Sequence, residues 1–210
     1  AGIVGSQLEN AAGGIECSAH RAPSPLGDLD AGARLGVLSR LLERHVVSPP
    51  VRTQAHSCDW VSGASMLVRR EVLRDIGLMD EGFFLYFEEV DYCCRARAAG
   101  WQVWYAPESR VLHLEGASTG IHAKARRRAR YWYDSRRRFF VKHHGVAGLL
   151  LADGLWAAGR LSFLLRRALR LGGRNDVHAD PRWFMFDLLW GDLRALLAGR
   201  LRIDRAGNRP

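Results

Sequence analysis

The sequence has few cysteines, and none of them is spaced for a familiar use. It contains four in 210 residues, and no two stand in a C-x-x-C motif. Cys93 and Cys94 are adjacent, a spacing at which a disulfide between them is strained. We therefore expect reduced cysteines, no disulfide framework and no structural zinc site.

The sequence also lacks a secretory signal near its start. No basic segment followed by an apolar run precedes Ile3-Val4, which already has the character of a strand. The reduced cysteines indicate a cytoplasmic location. A chain that opens within a strand is also expected to be a fragment or a processed product.

Acidic residues are outnumbered by basic ones. Lys and Arg total 31 against 22 Asp and Glu, which gives a formal net charge of +9. Much of the excess lies in one short stretch that contains Lys124, Arg126, Arg127, Arg128, Arg130, Arg136, Arg137 and Arg138. Such a run favours a polyanionic neighbour, whether phosphate, anionic lipid or nucleic acid. A solvated helix face is the alternative.

The pattern of apolar residues changes near residue 120. Short apolar segments bounded by turn residues predict an α/β domain over 1–120. Within it we expect a buried strand over 60–68, helices over 69–76 and 88–99, and strands over 101–106 and 110–114 on either side of Pro107. The region 121–210 predicts basic and amphipathic helices over 122–142, 146–170 and 181–199, which suit a membrane surface.

Three carboxylates crowd the start of the 88–99 helix. Glu88, Glu89 and Asp91 lie within four residues, directly after the aromatic segment 83–87. Their mutual repulsion raises at least one pKa, while the helix N-terminus lowers it. A carboxylate held in this way is a candidate general base. An ordinary acidic first turn of a helix is the alternative.

The segments around this helix stand in a recognisable order. They are Asp59-Trp60-Val61-Ser62-Gly63-Ala64, Arg69-Arg70-Glu71-Val72, Gly77-Leu78-Met79-Asp80-Glu81, Phe83 to Asp91, Arg95-Ala96-Arg97, Ala99-Gly100-Trp101, Val111-Leu112-His113 and Gly116-Ala117-Ser118-Thr119. In this the chain resembles glycosyltransferase family 2, the inverting enzymes of GT-A fold, and especially its rhamnosyltransferase-like and galactofuranosyltransferase-like members. The resemblance covers residues 1–145 and is strongest over 59–120.

The resemblance implies a role for each carboxylate. The acidic pair of the family falls on Glu88 and Glu89, and its second member is the base that deprotonates the acceptor hydroxyl. The family usually has Asp there, so Glu89 keeps the carboxylate on an arm one methylene longer. Asp91 matches a further acidic position, to which we assign the orientation of the helix or the holding of an acceptor hydroxyl.

The resemblance also implies a metal ligand at His113. In the family a histidine at this place completes the site of a divalent cation that grips the donor diphosphate. A neutral imidazole suits Mn²⁺ well and Mg²⁺ less well. A histidine whose ring is satisfied by the backbone at a strand end is the alternative.

Three further residues match the stretch that lines the acceptor and donor-sugar side. Gly63 and Ala64 are small enough to let a sugar ring approach the backbone, and Trp60 offers a flat apolar face for stacking. A tryptophan that is simply part of the core is the alternative for Trp60.

The resemblance leaves one part of the family pattern unmatched. The family binds its nucleotide with an N-terminal β/α half that ends in an Asp-x-Asp motif. The string Asp28-Leu29-Asp30 lies downstream of the first strand, where the family has its motif upstream. We interpret the string as a coincidence in a flexible loop, so the chain is a partial GT-A mixed sheet with C-terminal amphipathic helices and is expected to be inactive alone.

These observations together predict part of an inverting, metal-dependent glycosyltransferase. It would transfer a rhamnose-like sugar from a nucleotide-diphosphate donor to a glycan or polyprenyl-linked acceptor in cell-surface polysaccharide synthesis. It would lie peripherally on the anionic cytoplasmic face of the membrane. The alternatives are a basic nucleic-acid-binding module, with Tyr131, Trp132, Tyr133, Phe139 and Phe140 for stacking, and a non-catalytic membrane-associated scaffold.

Overall fold

The structure is a computed structural model that describes residues 1–114, 127–171 and 180–201. The chain forms two compact units. Of the described residues, the first unit contains 1–22 and 47–114, and the second contains 23–46, 127–171 and 180–201. Residues 23–46 therefore fold with the second unit, although they precede most of the first unit in sequence.

The described residues form short strands in the first unit and helices in both. The strands are β1 (Ile3–Glu9), β2 (Ile15–Glu16), β3 (Ala19–His20), β4 (His56–Cys58), β5 (Trp60–Val61), β6 (Met66–Val68) and β7 (Val103–Leu112). The helices are α1 (Pro25–Ala33), α2 (Gly36–Leu41), α3 (Arg70–Ile76), α4 (Glu88–Ala98), α5 (Arg130–Ala168) and α6 (Phe184–Leu197), with a 3₁₀ turn at Glu43–His45.

The main sheet of the first unit mixes parallel and antiparallel pairs. Its strand order is β2-β1-β7-β4, and β6 also pairs with β1. Among the described strands of this sheet, only the β1–β7 pair is parallel, while β3 and β5 form a separate antiparallel ribbon. The predicted mixed α/β fold class is confirmed.

β7 is longer than the sequence predicts. We expected two strands, 101–106 and 110–114, but a single strand continues past Pro107. Its register to β1 jumps from Ser6↔Ala106 to Gln7↔Arg110, so residues 107–109 bulge out of the ladder. The bulge accommodates Pro107, which has no N–H to donate to a neighbouring strand.

Local signals place the two helices of the first unit correctly. α3 ends at Gly77, whose φ of 72° is a conformation that glycine adopts without a steric cost. α4 has its acidic residues in the first turn and Arg95 and Arg97 in the last, as the helix dipole favours. The predicted strand over 60–68 is wrong in one respect, because a turn over 62–65 divides it into β5 and β6.

The core of the first unit lies between the sheet and α4. Its buried members are Ile3, Val61, Val72, Tyr92, Cys93, Ala96 and Val103. β1 and β5 approach so closely that a Cβ on Gly5 would lie 2.5 Å from the Cβ of Val61. This packing fixes the position of β5, and hence of the turn that follows it, against α4.

The second unit is built on a close contact between α1 and α5. A Cβ on Gly32 would lie 2.4 Å from the carbonyl oxygen of Trp156, and one on Gly159 would lie 2.6 Å from that of Leu29. Residues 25–33, which contain the Asp28-Leu29-Asp30 string, thus form a packed helix and not the expected flexible loop. Ser24 caps this helix by accepting a hydrogen bond from the Gly27 N–H at 3.1 Å.

The two long helices of the second unit differ from expectation at their ends. α5 is bent at Gly145 (φ 72°, ψ 176°), close to the predicted break between two helices. α6 begins at Phe184 after Trp183, so the start predicted at residue 181 is wrong. Asp180, just before the predicted start, forms ion pairs with Arg34, at 2.7 Å, and with Arg160.

α5 is the one helix in the described ranges that is long and apolar enough to cross a membrane. The mean hydropathy of its most apolar 18-residue window is 1.3. Core helices of soluble proteins pass the same test. Arg136, Asp153 and Arg160 on this helix are each less than 10% exposed, which indicates packing against protein.

Candidate active site

The backbone turns sharply just before the acidic pair. Tyr86 and Phe87 both have a φ of 68°, in the left-handed region that residues with a side chain rarely adopt. Such conformations cost about 1–3 kcal/mol each and persist only where the surrounding structure imposes them. In the described part of the chain no side chain caps α4, and Glu88 and Glu89 lie directly at the positive end of the helix dipole.

Glu89 has the electrostatic character of a base. Burial, and then the charge of Glu88, raise the pKa of its carboxyl group to about 7, although backbone N–H groups of Glu89, Val90 and Gly63 oppose the shift. The Oε2 atoms of Glu88 and Glu89 are buried and have no hydrogen-bond partner within the described ranges. A carboxylate that exchanges its proton near neutral pH is suited to general base catalysis.

The turn between β5 and β6 forms one wall beside Glu89. A Cβ on Gly63 would lie 3.5 Å from the Cβ of Glu89 and 3.9 Å from its carboxyl carbon. The turn is held by the Ala64 N–H, which donates to Ser62 Oγ at 3.3 Å. Gly63 and Ala64 are both exposed, so a ligand can reach the backbone at this point.

Trp60 is directed toward a neighbouring strand. Its indole N–H donates to the carbonyl oxygen of Arg21 at 2.8 Å, and its ring stacks on His20 with centroids 4.1 Å apart. One face of the indole is therefore covered by His20, and the rest is partly buried against the core. Stacking of Trp60 on a sugar stays a prediction. The sugar would have to stack on the indole face opposite His20.

Asp91 lies in the interior of the first unit. It is 0% exposed and pairs with Arg95 Nε at 2.9 Å. Arg95 in turn donates to the carbonyl oxygens of Ile76 and Leu78, at 2.6 and 2.8 Å. Asp91 thus ties α4 to the end of α3, a contact suited to the first of its two predicted roles, the orientation of the helix.

His113 lies at the carboxyl end of β7, beside the carboxyl end of its parallel neighbour β1. Its backbone N–H donates to the Glu9 carbonyl oxygen at 2.8 Å. Its Nδ1 lies 3.8 Å from Oε2 of Glu16 on β2, and neither atom has a hydrogen-bond partner among the described residues. Ligands of open α/β sheets bind at this edge, where parallel strands end.

Glu16 and His113 fit part of a divalent metal site. The two buried atoms offer an oxygen and a nitrogen donor, which Mn²⁺ accepts. Within the described ranges, no group of three or more His, Cys, Asp or Glu side chains is arranged to hold a metal ion. Since Mg²⁺ takes about six ligands, the remaining donors would have to come from elsewhere, the diphosphate of a substrate included.

A chain of three serine hydroxyls runs from the Gly63 turn to the bulge of β7. Ser6 Oγ on β1 lies 2.7 Å from Ser65 Oγ, beside the Gly63 turn, and 2.8 Å from Ser109 Oγ on β7. Ser109 precedes His113 by four residues, about 13 Å along an extended strand. Sequence patterns did not indicate these serines, because the bulge that brings Ser109 to Ser6 depends on pairing between distant strands.

Comparison with known proteins identifies the family. The family model described as "Glycosyltransferase like family 2" matches residues 17–135, more than half of the chain. The chain belongs to glycosyltransferase family 2. The mixed sheet is consistent with a partial GT-A fold of this family, and the matched segment includes Gly63, Glu88, Glu89 and His113.

Proteins similar to this chain include rhamnosyltransferases. The chain is 31% identical over 190 residues to an N-acetylglucosaminyl-diphospho-decaprenol L-rhamnosyltransferase of Mycobacterium tuberculosis, covering 87% of this chain and 56% of that protein. It is 36% identical over 55 residues to the rhamnosyltransferase WbbL of Escherichia coli, covering 26% of this chain and 21% of that protein.

A third relative broadens the range of organisms. The chain is 32% identical over 78 residues to a low-salt glycan biosynthesis hexosyltransferase of Haloferax volcanii, covering 37% of this chain and 22% of that protein. No solved structure shows significant similarity. The chain spans about half the length of the mycobacterial protein that it matches.

Proposed function

We propose that this family 2 chain is the acceptor-side, base-bearing part of an inverting glycosyltransferase. Its donor would be a nucleotide-diphosphate sugar, rhamnose-like, and its acceptor a glycan or a polyprenyl-linked sugar of cell-surface polysaccharide synthesis. The observation that carries the proposal is the raised pKa of Glu89, about 7, beside the exposed turn at Gly63. The mycobacterial relative supports the choice of sugar and acceptor class.

The chemistry follows from the position of Glu89. Its carboxylate accepts the proton of the acceptor hydroxyl while the acceptor oxygen forms a bond to the anomeric carbon. The bond between that carbon and the diphosphate oxygen breaks in the same step, and the nucleoside diphosphate leaves with the electron pair. A single displacement of this kind inverts the configuration of the anomeric carbon.

The other site residues have supporting roles in this proposal. Glu88 keeps the pKa of Glu89 high through its charge. Gly63 and Ala64 leave space for the acceptor, while Asp91 orients the helix. A bound Mn²⁺ or Mg²⁺ would neutralise the diphosphate, and Glu16 and His113 would supply two of its ligands.

The proposal places the 1–120 region in catalysis and the 121–210 region on the cytoplasmic face of the membrane. Exposed leucines on α5, including Leu151 (55%), Leu161 (60%) and Leu165 (61%), support peripheral attachment. By contrast, Tyr133, Phe139 and Phe140 are at most 5% exposed. The nucleic-acid alternative thus lacks three of the rings on which its stacking surface depended.

The test is sugar transfer in the longer protein that the proposal requires, in which a nucleotide-binding half precedes residue 1. Glu89→Gln should lower kcat by about 10²- to 10⁴-fold, the usual contribution of a general base. Glu89→Asp, which restores the usual family residue, should retain most of the activity. The exposed Glu71→Gln is the matched control and should transfer like wild type.

Three outcomes would contradict this assignment. Full activity of Glu89→Gln would remove its role as the base. Retention of the anomeric configuration in the product would reject single displacement. Transfer by the 210-residue chain alone would show that no further nucleotide-binding half is required.

A further inference from the structure

A cavity of about 890 Å³ lies within the second unit, between the first turns of α5 and the helix α6. None of the predicted site residues lines it. Its lining includes six arginines, which we call the arginine cleft: Arg127, Arg128, Arg130, Arg137, Arg194 and Arg200. The volume falls in the range of about 300–1,000 Å³ that is typical of small-molecule sites.

The arginine cleft carries more positive charge than its own carboxylates balance. Asp187 pairs with Arg127 at 2.8 Å, and Asp134 pairs with Arg137 at 2.6 Å. Arg194 and Arg200 are exposed, and no carboxylate in the described part of the chain pairs with either. The excess favours an anionic ligand, and the planar guanidinium fork matches phosphate oxygens in particular.

One face of α6 adds an apolar surface beside these arginines. Phe186 and Trp190 line the cleft and stack with ring centroids 6.3 Å apart. With Leu193 and Leu197 they recur every three or four residues, the spacing of a single helix face. Their exposed fractions are 52, 40, 41 and 76%, so the stripe is open to an apolar partner.

We propose that the arginine cleft binds the diphosphate of a polyprenyl-linked acceptor, with the first isoprene units along the apolar face of α6. The lipid class rests on the proposed function, whereas the anion site rests on the cleft itself. A diphosphate fits better than a singly charged phospholipid, because Arg194 and Arg200 offer two unbalanced charges beside the weakly paired Arg130, which lies 3.5 Å from Asp134.

The experiment measures binding to the 210-residue chain by quenching of tryptophan fluorescence, with geranylgeranyl diphosphate in non-ionic detergent as the probe. Geranylgeraniol and inorganic pyrophosphate should each bind more weakly, since each lacks one half of the ligand. The double variant Arg194→Gln/Arg200→Gln should bind the probe roughly 10- to 100-fold more weakly, as expected for lost charge-assisted hydrogen bonds.

The matched control is Arg167→Gln/Arg170→Gln, which removes the same charge from exposed positions of the same unit outside the cleft. It should bind the probe like wild type. Circular dichroism melting of both double variants checks that neither is unfolded. Equal losses in the two variants would overturn the proposal, because general surface charge would then explain binding.

Two further measurements distinguish the diphosphate probe from phospholipid and nucleic acid, which also carry phosphate. Vesicles containing phosphatidylglycerol should show no selective dependence on Arg194 and Arg200, and tighter, selective binding to them would overturn the diphosphate assignment. A single-stranded oligonucleotide bound more tightly than the probe would overturn it as well. Glu89→Gln should bind the probe normally while losing transfer, so the cleft and the proposed base can fail independently.

Discussion

The acidic pair in the first unit and the acidic cluster in the second both contain buried carboxylate oxygens, but they differ in their counter-charge. Glu88 and Glu89 have Oε2 atoms without a hydrogen-bond partner among the described residues. In the second unit, the buried Arg136 is surrounded by Asp28, Asp153 and Asp192, at 2.6, 2.8 and 3.4 Å.

The comparison shows that a raised carboxyl pKa does not mark a catalytic site by itself. Burial raises the pKa of Asp153 to about 7, and the charge of Asp192 adds to the shift, although Arg136 opposes it. Glu89 reaches the same value. What distinguishes Glu89 is its position at a helix start beside an exposed turn, whereas Asp153 is enclosed and held by an arginine.

The largest effect on stability is expected from a substitution that removes Arg136 from the acidic cluster of the second unit. Arg136→Leu would remove the cation shared by Asp28, Asp153 and Asp192. Asp192 would keep its second arginine, Arg137 at 2.6 Å, but the buried Asp153 would lose its arginine, so we expect the free energy of unfolding to fall by about 3–5 kcal/mol. Urea denaturation of the chain measures this difference. The exposed Arg167→Leu is the control and should stay within about 0.5 kcal/mol of wild type. Similar values for both variants would contradict the role given to Arg136.

The pH dependence of stability tests the raised pKa of Glu89 in the acidic pair of the first unit. The ordinary pKa of Glu89 is 4.5, and its folded value is about 7. The protonated form therefore stabilises the folded chain fully below pH 4.5, and this stabilisation is lost as the pH rises through about 7. The Glu89→Gln variant has no carboxyl group at this position, so its stability does not change with pH for this reason.

Between pH 4 and pH 8, wild type should accordingly lose on the order of 2 kcal/mol relative to Glu89→Gln, after allowance for the partial exposure of the residue. Denaturant curves of both proteins at the two pH values give this double difference. A difference of zero would mean that Glu89 titrates normally in the folded chain.

A smaller effect is expected where α1 meets α5. Gly159→Ala would place a Cβ 2.6 Å from the carbonyl oxygen of Leu29, so the helices must separate at a cost of about 1–3 kcal/mol. Gly154→Ala on the same helix is the control, since its Cβ would meet nothing within 4 Å. The control should be neutral, or more stable by up to about 1 kcal/mol. Thermal unfolding should therefore give a lower Tm for Gly159→Ala than for Gly154→Ala.

The smallest expected effect is a shift in the pH dependence of sugar transfer when Glu88 loses its charge. Because the charge of Glu88 is the second cause of the raised pKa, Glu88→Gln should move the acidic limb of the transfer rate to lower pH. The rate is measured against pH in the longer protein. Glu81→Gln, an exposed acid in the preceding loop, should leave the limb in place. If the acidic limb does not move in Glu88→Gln, the charge of Glu88 does not contribute to the raised pKa of Glu89, and burial remains as its cause.

Sequence patterns succeeded where the physical cause is local. α3 and α4 were predicted because Gly77 ends one helix and the charges of the other match its dipole. The break predicted between 142 and 146 coincides with Gly145, which adopts a positive φ. They failed at β7, since a strand can bulge at Pro107 and continue only when its partner β1 holds both sides of the bulge.

The candidate site was only partly accessible to the same reasoning. Glu88 and Glu89 stand out as adjacent charges, and the family resemblance names them. The approach of Gly63 to Glu89 is a contact between segments about 25 residues apart, a separation that periodicity does not report. Likewise, Trp60 was predicted as a sugar platform, but its pairing with His20 depends on the β3–β5 ribbon.

The amino-acid sequence by itself determined the family, the mixed α/β class and the helix that begins with the acidic pair, because these depend on neighbouring residues and on short motifs. Only the tertiary structure decided that residues 23–46 join the second unit, that Arg95 joins Asp91 to the end of α3, and that arginines from two helices line one cleft. Each of these is a contact between segments far apart in the chain, and burial and charge balance at such contacts exist only once the chain has folded.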